Sequence, residues 1–283
     1  MPELPEVEVV RRGLNSHAVG RRIDDVEVFH QRAVRHSASA DAVCRDLRHA
    51  EITGTGRRGK YLWLKLSGAP AECLLVHLGM SGQMLIKAGS VGEEDPNARH
   101  LRARVRLSDG NQLWFVDQRT FGYWLPGKLI GGVPETVQHV ARDPFDPGFD
   151  AARVAAVVKS KRTEVKRVLL NQEVVSGIGN IYADEALWAA RIHPRQLAAR
   201  VSVSRLAELL GCARDVMARA LDQGGTSFDS LYVNVNGSSG YFSRSLNAYG
   251  RSGGPCRRCG TPLVKESFMN RSSHLCPTCQ RRY

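Results

Sequence analysis

Long apolar runs are missing from this sequence of 283 residues. No stretch approaches the roughly 18 apolar residues that a membrane-spanning helix needs. The opening MPELPEVEVV has neither the basic region nor the apolar core of a secretory signal. Internal repeats and low-complexity tracts are also missing, which argues against a repeat architecture. We therefore expect a soluble, intracellular protein that is long enough for two domains, each with its own core.

Acidic residues are scarce relative to basic ones. The chain has 28 Asp and Glu against 40 Lys and Arg, a formal net charge of +12, and its pI is near 9.7. Such an excess favours a polyanionic partner, with nucleic acid ahead of an anionic membrane surface. A solvated basic surface without a partner is the alternative that charge alone leaves open.

Only seven cysteines are present, and four of them lie in the last 28 residues. These four form two Cys-x-x-Cys pairs separated by 16 residues, a spacing that predicts a four-cysteine zinc site. A closed shell of four sulfurs leaves no open coordination position, so the zinc is predicted to be structural. Four unliganded thiols are the alternative. The predicted ligands are Cys256, Cys259, Cys276 and Cys279, and the scattered Cys44, Cys73 and Cys212 are expected to be small buried apolar residues.

The segment that carries these cysteines is strongly basic. Residues 244–283 contain eight Lys or Arg and one acid, and Arg271 lies between the two pairs, near the tip of the hairpin that they predict. A small basic hairpin stapled by a metal is suited to binding phosphates. The same hairpin would also suit a transcription factor or a ribosomal protein, so it predicts zinc more firmly than it predicts an activity.

Helical and strand-like patterns divide the chain. Apolar residues at helical spacing predict a helix over 5–19, and short runs rich in β-formers follow from about 22 to 125. Leu101–Leu107 alternates strictly, which places three arginines on one face of a strand. Many short strands of this kind are typical of a sandwich or barrel. After a linker rich in Gly, Pro and Asp, the sequence predicts helices over 151–159, 163–172, 181–190 and 204–222, and a long loop over 224–254.

The N-terminus carries a candidate nucleophile. Removal of Met1 would make Pro2 a free secondary amine, and an α-amino group has a reference pKa of about 7.7–8.0, so a useful fraction is neutral at physiological pH. A neutral amine can attack an electrophilic sugar carbon and form an iminium. The alternative is structural, because proline and acidic residues are common in the first turn of a helix.

Several motifs follow one another along nearly the whole chain. They are Met1–Glu8, Gly59–Tyr61, His77–Gly82, Asp117–Gly122, Gly177–Glu185, Gly240–Phe242, Tyr249–Arg251 and the two cysteine pairs. In this order and at this spacing the sequence resembles the formamidopyrimidine-DNA glycosylase family, bacterial enzymes that remove oxidised purines from DNA. The resemblance implies an α+β protein: an N-terminal β-sandwich with flanking helices, followed by a helix-two-turn-helix domain and a zinc ribbon.

The resemblance also implies bounds for these parts. They are a catalytic sandwich at 1–135, a linker at 136–150, a helix-two-turn-helix region with the lesion loop at 151–243, and the zinc ribbon at 244–283.

Four residues match catalytic positions of the family. The resemblance implies that Pro2 attacks the anomeric carbon of the damaged nucleotide and forms a Schiff base with the opened sugar. Glu3 matches the general acid beside it, and Lys60 matches a lysine of the β-elimination step; an ordinary surface lysine is the alternative for Lys60. Arg271 matches the arginine of δ-elimination, where its fixed charge and planar donors favour binding of the leaving phosphate over proton abstraction.

Other residues match DNA-binding positions. Met80, Arg119 and Phe121 match the side chains that fill the gap left by the extruded nucleotide, although Met and Phe are also ordinary core residues. Asn180 opens a helix after a glycine-containing turn, where backbone amides can approach a phosphate. Which of Lys161 and Arg162 contacts phosphate stays open. The implied DNA contacts are His100, Arg119, Lys161, Arg162 and Asn180.

The family resemblance implies a bifunctional glycosylase and lyase of base excision repair. Its partner would be double-stranded DNA containing oxidised bases or abasic sites, and it would act as a monomer in the bacterial cytosol, with one structural zinc. The sequence departs from the family at Thr120, where a second arginine often stands, and the loop at 227–242 does not map clearly onto base contacts. The alternatives are an endonuclease VIII-type enzyme for oxidised pyrimidines and a non-catalytic zinc protein that binds damaged DNA.

Overall fold

The computed structural model describes residues 2–89, 94–225 and 242–283, apart from the side chains of residues 243 and 244. The described chain divides into two compact units. The first comprises residues 2–139 with Gly224 and Gly225, and the second comprises residues 140–223 and 242–283. Of the predicted loop at 224–254, residues 226–241 lie outside the described residues. The predicted domain bounds stay predictions.

The first unit begins with helix α1 (Leu4–Ala18). Proline stands in its first turn and Glu3 is the N-cap, while Val7, Val10 and Leu14 form its buried stripe. Gly20 follows with a φ of +80°, a conformation that side chains disfavour. This helix confirms the prediction over 5–19 to within a residue at each end.

Two four-stranded antiparallel sheets follow. The strands are β1 (Ile23–Val28), β2 (Glu51–Arg58), β3 (Tyr61–Ser67), β4 (Cys73–His77), β5 (Gly82–Lys87), β6 (Leu101–Leu107), β7 (Gln112–Asp117) and β8 (Tyr123–Gly127). One sheet has the order β1-β6-β7-β5 and the other the order β2-β3-β4-β8. A helix α2 (Ala40–Leu47), a short hairpin of β9 (Leu129–Ile130) and β10 (Val133–Pro134), and 3-10 turns at Gln31–Val34, Ala98–His100 and Glu135–Val137 complete the unit.

An apolar core lies between the two sheets. It joins Val105 and Phe115 of one sheet to Leu64 and Trp124 of the other, and α1 packs against it through Leu14. Both the α+β class and the predicted N-terminal β-sandwich with flanking helices are therefore confirmed.

The alternation in β6 produces the arginine face that the sequence predicts. Ala103, Val105 and Leu107 are buried, whereas Arg104 and Arg106 are bound to carboxylates of β1, Glu27 and Asp25. Arg104 and Arg106 therefore stabilise the sheet surface, and their charge is matched by neighbouring acids, whereas Arg102 donates to the Asp117 carbonyl.

The second unit is helical and ends in a hairpin. Its elements are α3 (Ala151–Ser160), α4 (Val165–Leu169), α5 (Asn180–Ala189), a 3-10 turn (Ala198–Arg200), α6 (Val203–Asp222), a 3-10 turn (Phe242–Ser245), β11 (Val264–Phe268) and β12 (Arg271–Leu275). Of the four predicted helices, α4 differs most, since it spans five residues where the prediction covered 163–172. No helix among the described residues is long and apolar enough to cross a bilayer.

Candidate active site and zinc centre

Pro2 and Glu3 lie at the capped start of α1. Both residues are buried, and Glu3 is only 2% exposed. The Glu3 amide donates a hydrogen bond of 2.8 Å to the carboxylate of Glu6, one turn into the helix. This contact fixes the backbone beside the candidate nucleophile, as a capping box does.

Lys60 lies in the tight turn between β2 and β3. It is 8% exposed, so the alternative of an ordinary surface lysine is wrong. Gly59 before it has a φ of +58°, which a glycine adopts without strain. The Gly59 carbonyl accepts a hydrogen bond of 3.2 Å from Arg57, whose guanidinium is 3.0 Å from the carboxylate of Glu8 on α1. The turn that carries Lys60 is therefore tied to the helix that begins beside Pro2.

Glu8 holds three arginines together. Burial by itself would raise the pKa of its carboxyl, but hydrogen bonds and positive charge from Arg11, Arg57 and Arg12 together lower that pKa to about 2. Glu8 therefore remains ionised throughout the physiological range. It stabilises the α1–β2 contact through charge-assisted hydrogen bonds.

His77, at the end of β4, is a largely buried neutral base. Burial, with the nearby charges of Lys60, Arg35 and His36, lowers the pKa of His77 to about 4. Its Nδ1 atom accepts a hydrogen bond of 3.2 Å from the Gly79 amide, which leaves the proton of the neutral ring on Nε2. His77 is thus suited to holding the loop before Met80 and not to carrying charge.

Met80, Arg119 and Phe121 form an exposed cluster. Met80 is 38% and Phe121 47% exposed, so the alternative that they are core residues is wrong. The Arg119 guanidinium lies 3.8 Å from the Met80 sulfur. Large apolar side chains held out to solvent beside an arginine have the shape and chemistry of a wedge that inserts between bases.

His100 is half-buried and lies in the first unit, at the end of the 3-10 turn before β6. Its Nδ1 lies 3.4 Å from the Arg102 guanidinium, and its Nε2 is buried with no hydrogen-bond partner among the described residues. Burial, with the charges of Arg99 and Arg102, lowers the pKa of His100. A neutral ring with Nδ1 accepting from arginine would have a free Nε2 proton to donate to an anion.

In the second unit, the predicted turn before α5 is present. Gly177 has a φ of +87°, and α5 begins at Asn180 itself, one residue before the predicted start. The side-chain Nδ2 of Asn180 donates a hydrogen bond of 3.0 Å to the carbonyl of Ser272 in β12. Its Oδ1 is buried without a hydrogen-bond partner among the described atoms. Lys161 and Arg162 are both exposed just after α3.

A buried ion pair links helices α4 and α5 to the hairpin. Lys166 and Asp184 are both fully buried, with 2.6 Å between Nζ and a carboxylate oxygen. Lys166 also donates to the Ser272 carbonyl at 3.0 Å and to the Ser273 hydroxyl at 2.8 Å, and Asp184 accepts from the His274 amide at 2.8 Å. These bonds grip the strand that Arg271 begins.

Arg271 is exposed at the start of β12, where the hairpin turns. It lines an open cavity of about 440 Å³ together with Arg167 and Asn171 of the region around α4. Two guanidinium groups on one cavity favour an anion such as a phosphate.

The four predicted zinc ligands come together. All four sulfurs lie within 4.8 Å of one another, and two of the separations, Cys259–Cys276 and Cys259–Cys279, are 3.5 and 3.4 Å. A tetrahedral site with zinc–sulfur bonds of about 2.3 Å requires sulfurs about 3.8 Å apart, so this cluster fits the ion. The Trp188 ring nitrogen lies 3.4 Å from the Cys256 sulfur and can donate to it.

No local sequence pattern predicted the residues that hold the candidate functional residues in place. Glu8, Arg57 and Lys166 are among them, and so is Glu185, whose carboxylate accepts hydrogen bonds from the amides of Asn247, Ala248 and Tyr249. Some of these lie inside the motifs, but nothing in a motif shows which member is buried. Asp117 is a further buried residue inside a motif, whereas Arg35 is exposed and lies outside the motifs.

Models of three protein families match this chain. That of the formamidopyrimidine-DNA glycosylase N-terminal domain matches residues 1–124, and that of the formamidopyrimidine-DNA glycosylase H2TH domain matches residues 140–231. The model of a zinc finger found in FPG and IleRS matches residues 253–282.

Whole proteins are similar over the full length. A formamidopyrimidine-DNA glycosylase of Corynebacterium efficiens is 59% identical, with 99% of each chain covered. One of Mycolicibacterium gilvum is 60% identical, with 100% of this chain and 99% of the relative covered.

Solved structures of protein–DNA complexes share the fold. Lactococcus lactis Fpg in complex with DNA containing an abasic site has a TM-score of 0.86 and 29% identity, with 99% of this chain and 100% of that chain covered. MutM in complex with DNA containing carbocyclic 8-oxo-G has a TM-score of 0.85 and 31% identity, with the same coverage.

Proposed function

This chain belongs to the formamidopyrimidine-DNA glycosylase family, and on that premise we propose that it excises oxidised purines from duplex DNA and then cleaves the strand at the abasic site. The substrates are 8-oxoguanine and formamidopyrimidine nucleotides, and the process is base excision repair. The observation that carries the proposal is the buried Glu3 carboxylate directly beside Pro2, on a backbone fixed by Glu6.

The first step is amine attack. After removal of Met1, the Pro2 nitrogen bonds to the anomeric carbon while the bond from that carbon to the base breaks, and the base leaves with a proton. Glu3 delivers a proton to the ring oxygen, the sugar opens, and a Schiff base joins Pro2 to the sugar. The helix N-terminus behind Pro2 carries a partial positive charge, which disfavours the protonated amine and keeps the nucleophile available.

Two eliminations follow. In β-elimination a proton leaves the carbon next to the Schiff base and the 3′ carbon–oxygen bond breaks, so the 3′ phosphate is released. Lys60 acts here, as a buried cation that binds the adjacent phosphate. In δ-elimination a proton leaves the 4′ carbon and the 5′ carbon–oxygen bond breaks, so the 5′ phosphate is released; Arg271, with Arg167 on the same cavity, stabilises this departing phosphate. The product is a one-nucleotide gap.

Extrusion of the lesion precedes this chemistry. Unstacking a base costs a few kcal/mol, and Met80, Arg119 and Phe121 offset part of that cost by filling the gap. His100, Asn180 and one of Lys161 and Arg162 bind backbone phosphates, which holds the duplex in register. The zinc holds the basic hairpin of 244–283 folded and takes no part in the reaction. The enzyme acts as a monomer in the bacterial cytosol, and its parts have the bounds predicted from the sequence: 1–135, 136–150, 151–243 and 244–283.

Borohydride trapping tests the nucleophile. The wild-type chain, a Pro2→Gly variant and a chain with one extra N-terminal residue are each incubated with duplex that contains 8-oxoguanine opposite cytosine, and covalent complexes are counted after reduction. We expect strong trapping by the first, reduced trapping by the second and none by the third, because only a terminal amine can form the Schiff base. Undiminished trapping by the extended chain would rule out Pro2.

The same assay separates the alternatives. Faster excision of thymine glycol than of 8-oxoguanine would indicate the endonuclease VIII type. Binding of lesion duplex without any trapping would indicate a non-catalytic damage-binding protein.

A further inference from the structure

We propose that Asp117 and Arg35 are positioning residues that hold the Met80 and Phe121 loops together as one rigid wedge, so that lesion extrusion depends on them although neither is a wedge residue itself. This inference rests on the proposed function, since it concerns the step that brings the lesion to Pro2. We call the two residues with their bonds the clasp.

The Asp117 carboxylate joins the two loops. It is fully buried and accepts from the Ser81 hydroxyl at 2.6 Å, on the loop that carries Met80. It also accepts from the amides of Arg119 at 3.1 Å and Gly122 at 2.7 Å, on either side of Phe121. The Ser81 oxygen in turn accepts from the Arg119 amide at 3.1 Å. One buried carboxylate therefore fixes both ends of the Arg119–Phe121 segment and ties them to the Met80 loop.

The backbones of the two loops touch as well. Gly79 has a φ of +61°, and a Cβ built on it would lie 2.4 Å from the Gly122 nitrogen. Only glycine allows this approach. The spacing between Met80 and Phe121 is thus set by main-chain contact and not by the flexible side chains alone.

Arg35 holds the wedge from the opposite side. It follows the 3-10 turn Gln31–Val34 and reaches across the unit to donate 2.9 Å to the Phe121 carbonyl and 2.8 Å to the Gly122 carbonyl. Its guanidinium also lies 4.9 Å above the Tyr123 ring. The forked donor of arginine can bind both carbonyls at once, which the single ammonium of lysine cannot do in the same geometry.

Thr120, in the segment that Asp117 and Arg35 hold, has a strained backbone conformation. Thr120 has a φ of +54°, a conformation that a β-branched side chain rarely adopts, and it lies between Arg119 and Phe121. Strained backbone persists only where its surroundings over-determine it. The clasp supplies those surroundings, and it leaves the apolar face of Phe121 presented to solvent before any DNA is bound.

A charge-matched pair of variants tests the clasp. Arg35→Ala removes the hydrogen bonds to the Phe121, Gly122 and Arg32 carbonyls. Arg32→Ala removes the same charge from a neighbour that is exposed like Arg35 and whose side chain has no bond to any described residue. Each chain is assayed for single-turnover excision from lesion duplex and for borohydride trapping on a single-stranded abasic oligonucleotide, which needs no extrusion. We expect the ratio of duplex excision to single-strand trapping to fall roughly tenfold or more in Arg35→Ala and to change less than about twofold in Arg32→Ala.

A double-mutant cycle with Phe121→Ala shows whether Arg35 acts through the wedge. If it does, Arg35→Ala causes little further loss in a chain that already lacks the Phe121 ring, because the two effects share one cause. Losses that multiply independently would overturn the proposal. The nearly isosteric Asp117→Asn, which places an amide N–H against backbone N–H donors, provides a second test, and it should lower the same ratio.

The outcomes separate the clasp from the proposed chemistry. Failure of the wild-type chain to trap on the single-stranded oligonucleotide refutes the proposed function and, with it, the role of the clasp in excision. Normal trapping with equal ratios in Arg35→Ala, Arg32→Ala and wild type refutes the clasp alone.

Discussion

The N-terminal sandwich and the zinc hairpin hold their candidate functional residues by opposite means. In the sandwich, a continuous apolar core underlies the strands that flank Lys60 and Phe121, and the buried Asp117 carboxylate accepts a hydrogen bond from the loop after Phe121. At the hairpin, the core cluster joins Cys256, Leu263 and Cys276, with Cys279 and Trp188 packed against it, so that most of its members are metal ligands. The first region is stabilised mainly by apolar burial. The second depends on metal–sulfur bonds and on a buried ion pair.

This difference shows where each region is vulnerable. Apolar burial in the sandwich is divided among many side chains, so no single apolar contact supplies most of its stability. The stability of the hairpin depends on two small groups of residues, the four-sulfur cluster and the Lys166–Asp184 ion pair. We expect single changes to these groups to disable the hairpin while the sandwich remains folded.

Loss of the metal should produce the largest effect. Structural zinc contributes roughly 10–16 kcal/mol of apparent binding free energy in small zinc domains. We expect Cys256→Ser to lower zinc content and to weaken DNA binding by roughly 100-fold or more, because the basic hairpin no longer presents its phosphate contacts. Zinc content, duplex affinity at fixed salt and amide exchange in the sandwich are the measurements.

Cys212→Ser is the matched control, since Cys212 lies outside the cluster and is only partly buried. It should leave both zinc content and affinity unchanged. Normal duplex binding by Cys256→Ser would show that the hairpin is held without the metal, and the contrast between the two regions would then fail.

Breaking the buried ion pair comes next. Lys166→Met leaves the Asp184 carboxylate fully buried and without its counter-charge, which typically costs about 3–5 kcal/mol. Arg167→Met, on the same helix, removes an exposed ion pair with Glu164 and should cost under about 1 kcal/mol. Amide hydrogen exchange of helices α4 and α5, measured at increasing urea concentration, compares the stability of the second unit in the two variants. Equal destabilisation would mean that Lys166 does not hold the hairpin through its charge.

The sequence predicted the elements of both regions better than it predicted these supports. The strict alternation of Leu101–Leu107 predicted both ends of a strand correctly. In a half-buried strand every second side chain is buried, so apolar and polar residues alternate in the sequence. Helix α2 was missed, since eight residues give too few turns for a clear period. The zinc ligands were predicted from the spacing of their cysteines, and the proposed wedge residues were predicted from motifs; neither prediction requires knowledge of partners.

The supports were missed because their partners are distant in sequence. Lys166 binds Ser272, 106 residues away, and Arg35 binds Gly122, 87 residues away. A lysine or arginine in a sequence is far more often exposed than buried. Burial of Lys166 follows from the packing of α4, α5 and β12 together, and no local pattern encodes that packing.

Protonation of His77 should destabilise the sandwich at acid pH. The pKa of His77 is about 4 in the folded protein against an ordinary value of 6.5. The unfolded chain therefore binds more protons between pH 6.5 and 4, and stability falls as the pH drops through that window, by up to about 3 kcal/mol. The groups facing the ring are Lys60, Arg35, His36, Tyr61 and Tyr123.

His77→Gln isolates this contribution, because its amide oxygen can still accept from Gly79 but does not titrate. Urea unfolding at pH 7 and pH 5 should show a smaller loss of stability in His77→Gln than in wild type. The loss of stability that protonation of Glu8 causes is expected at lower pH, from about 4.5 down to about 2, so it contributes little between pH 7 and pH 5. Identical pH dependence in the two chains would mean that protonation of His77 does not destabilise the sandwich.

Two strained turn residues give the smallest effect and the finest comparison. Thr120 lies between two wedge residues and Met269 lies two residues before Arg271, and both have a φ of +54°. Asparagine tolerates this conformation better, so Thr120→Asn and Met269→Asn should each stabilise the protein by under about 1 kcal/mol. In zinc-free protein the gain from Met269→Asn should vanish, because the turn is then unfolded in both chains, while the gain from Thr120→Asn persists. Thermal unfolding with and without chelator measures both, and a Met269→Asn gain that survives chelation would show that the hairpin keeps its turn without the metal.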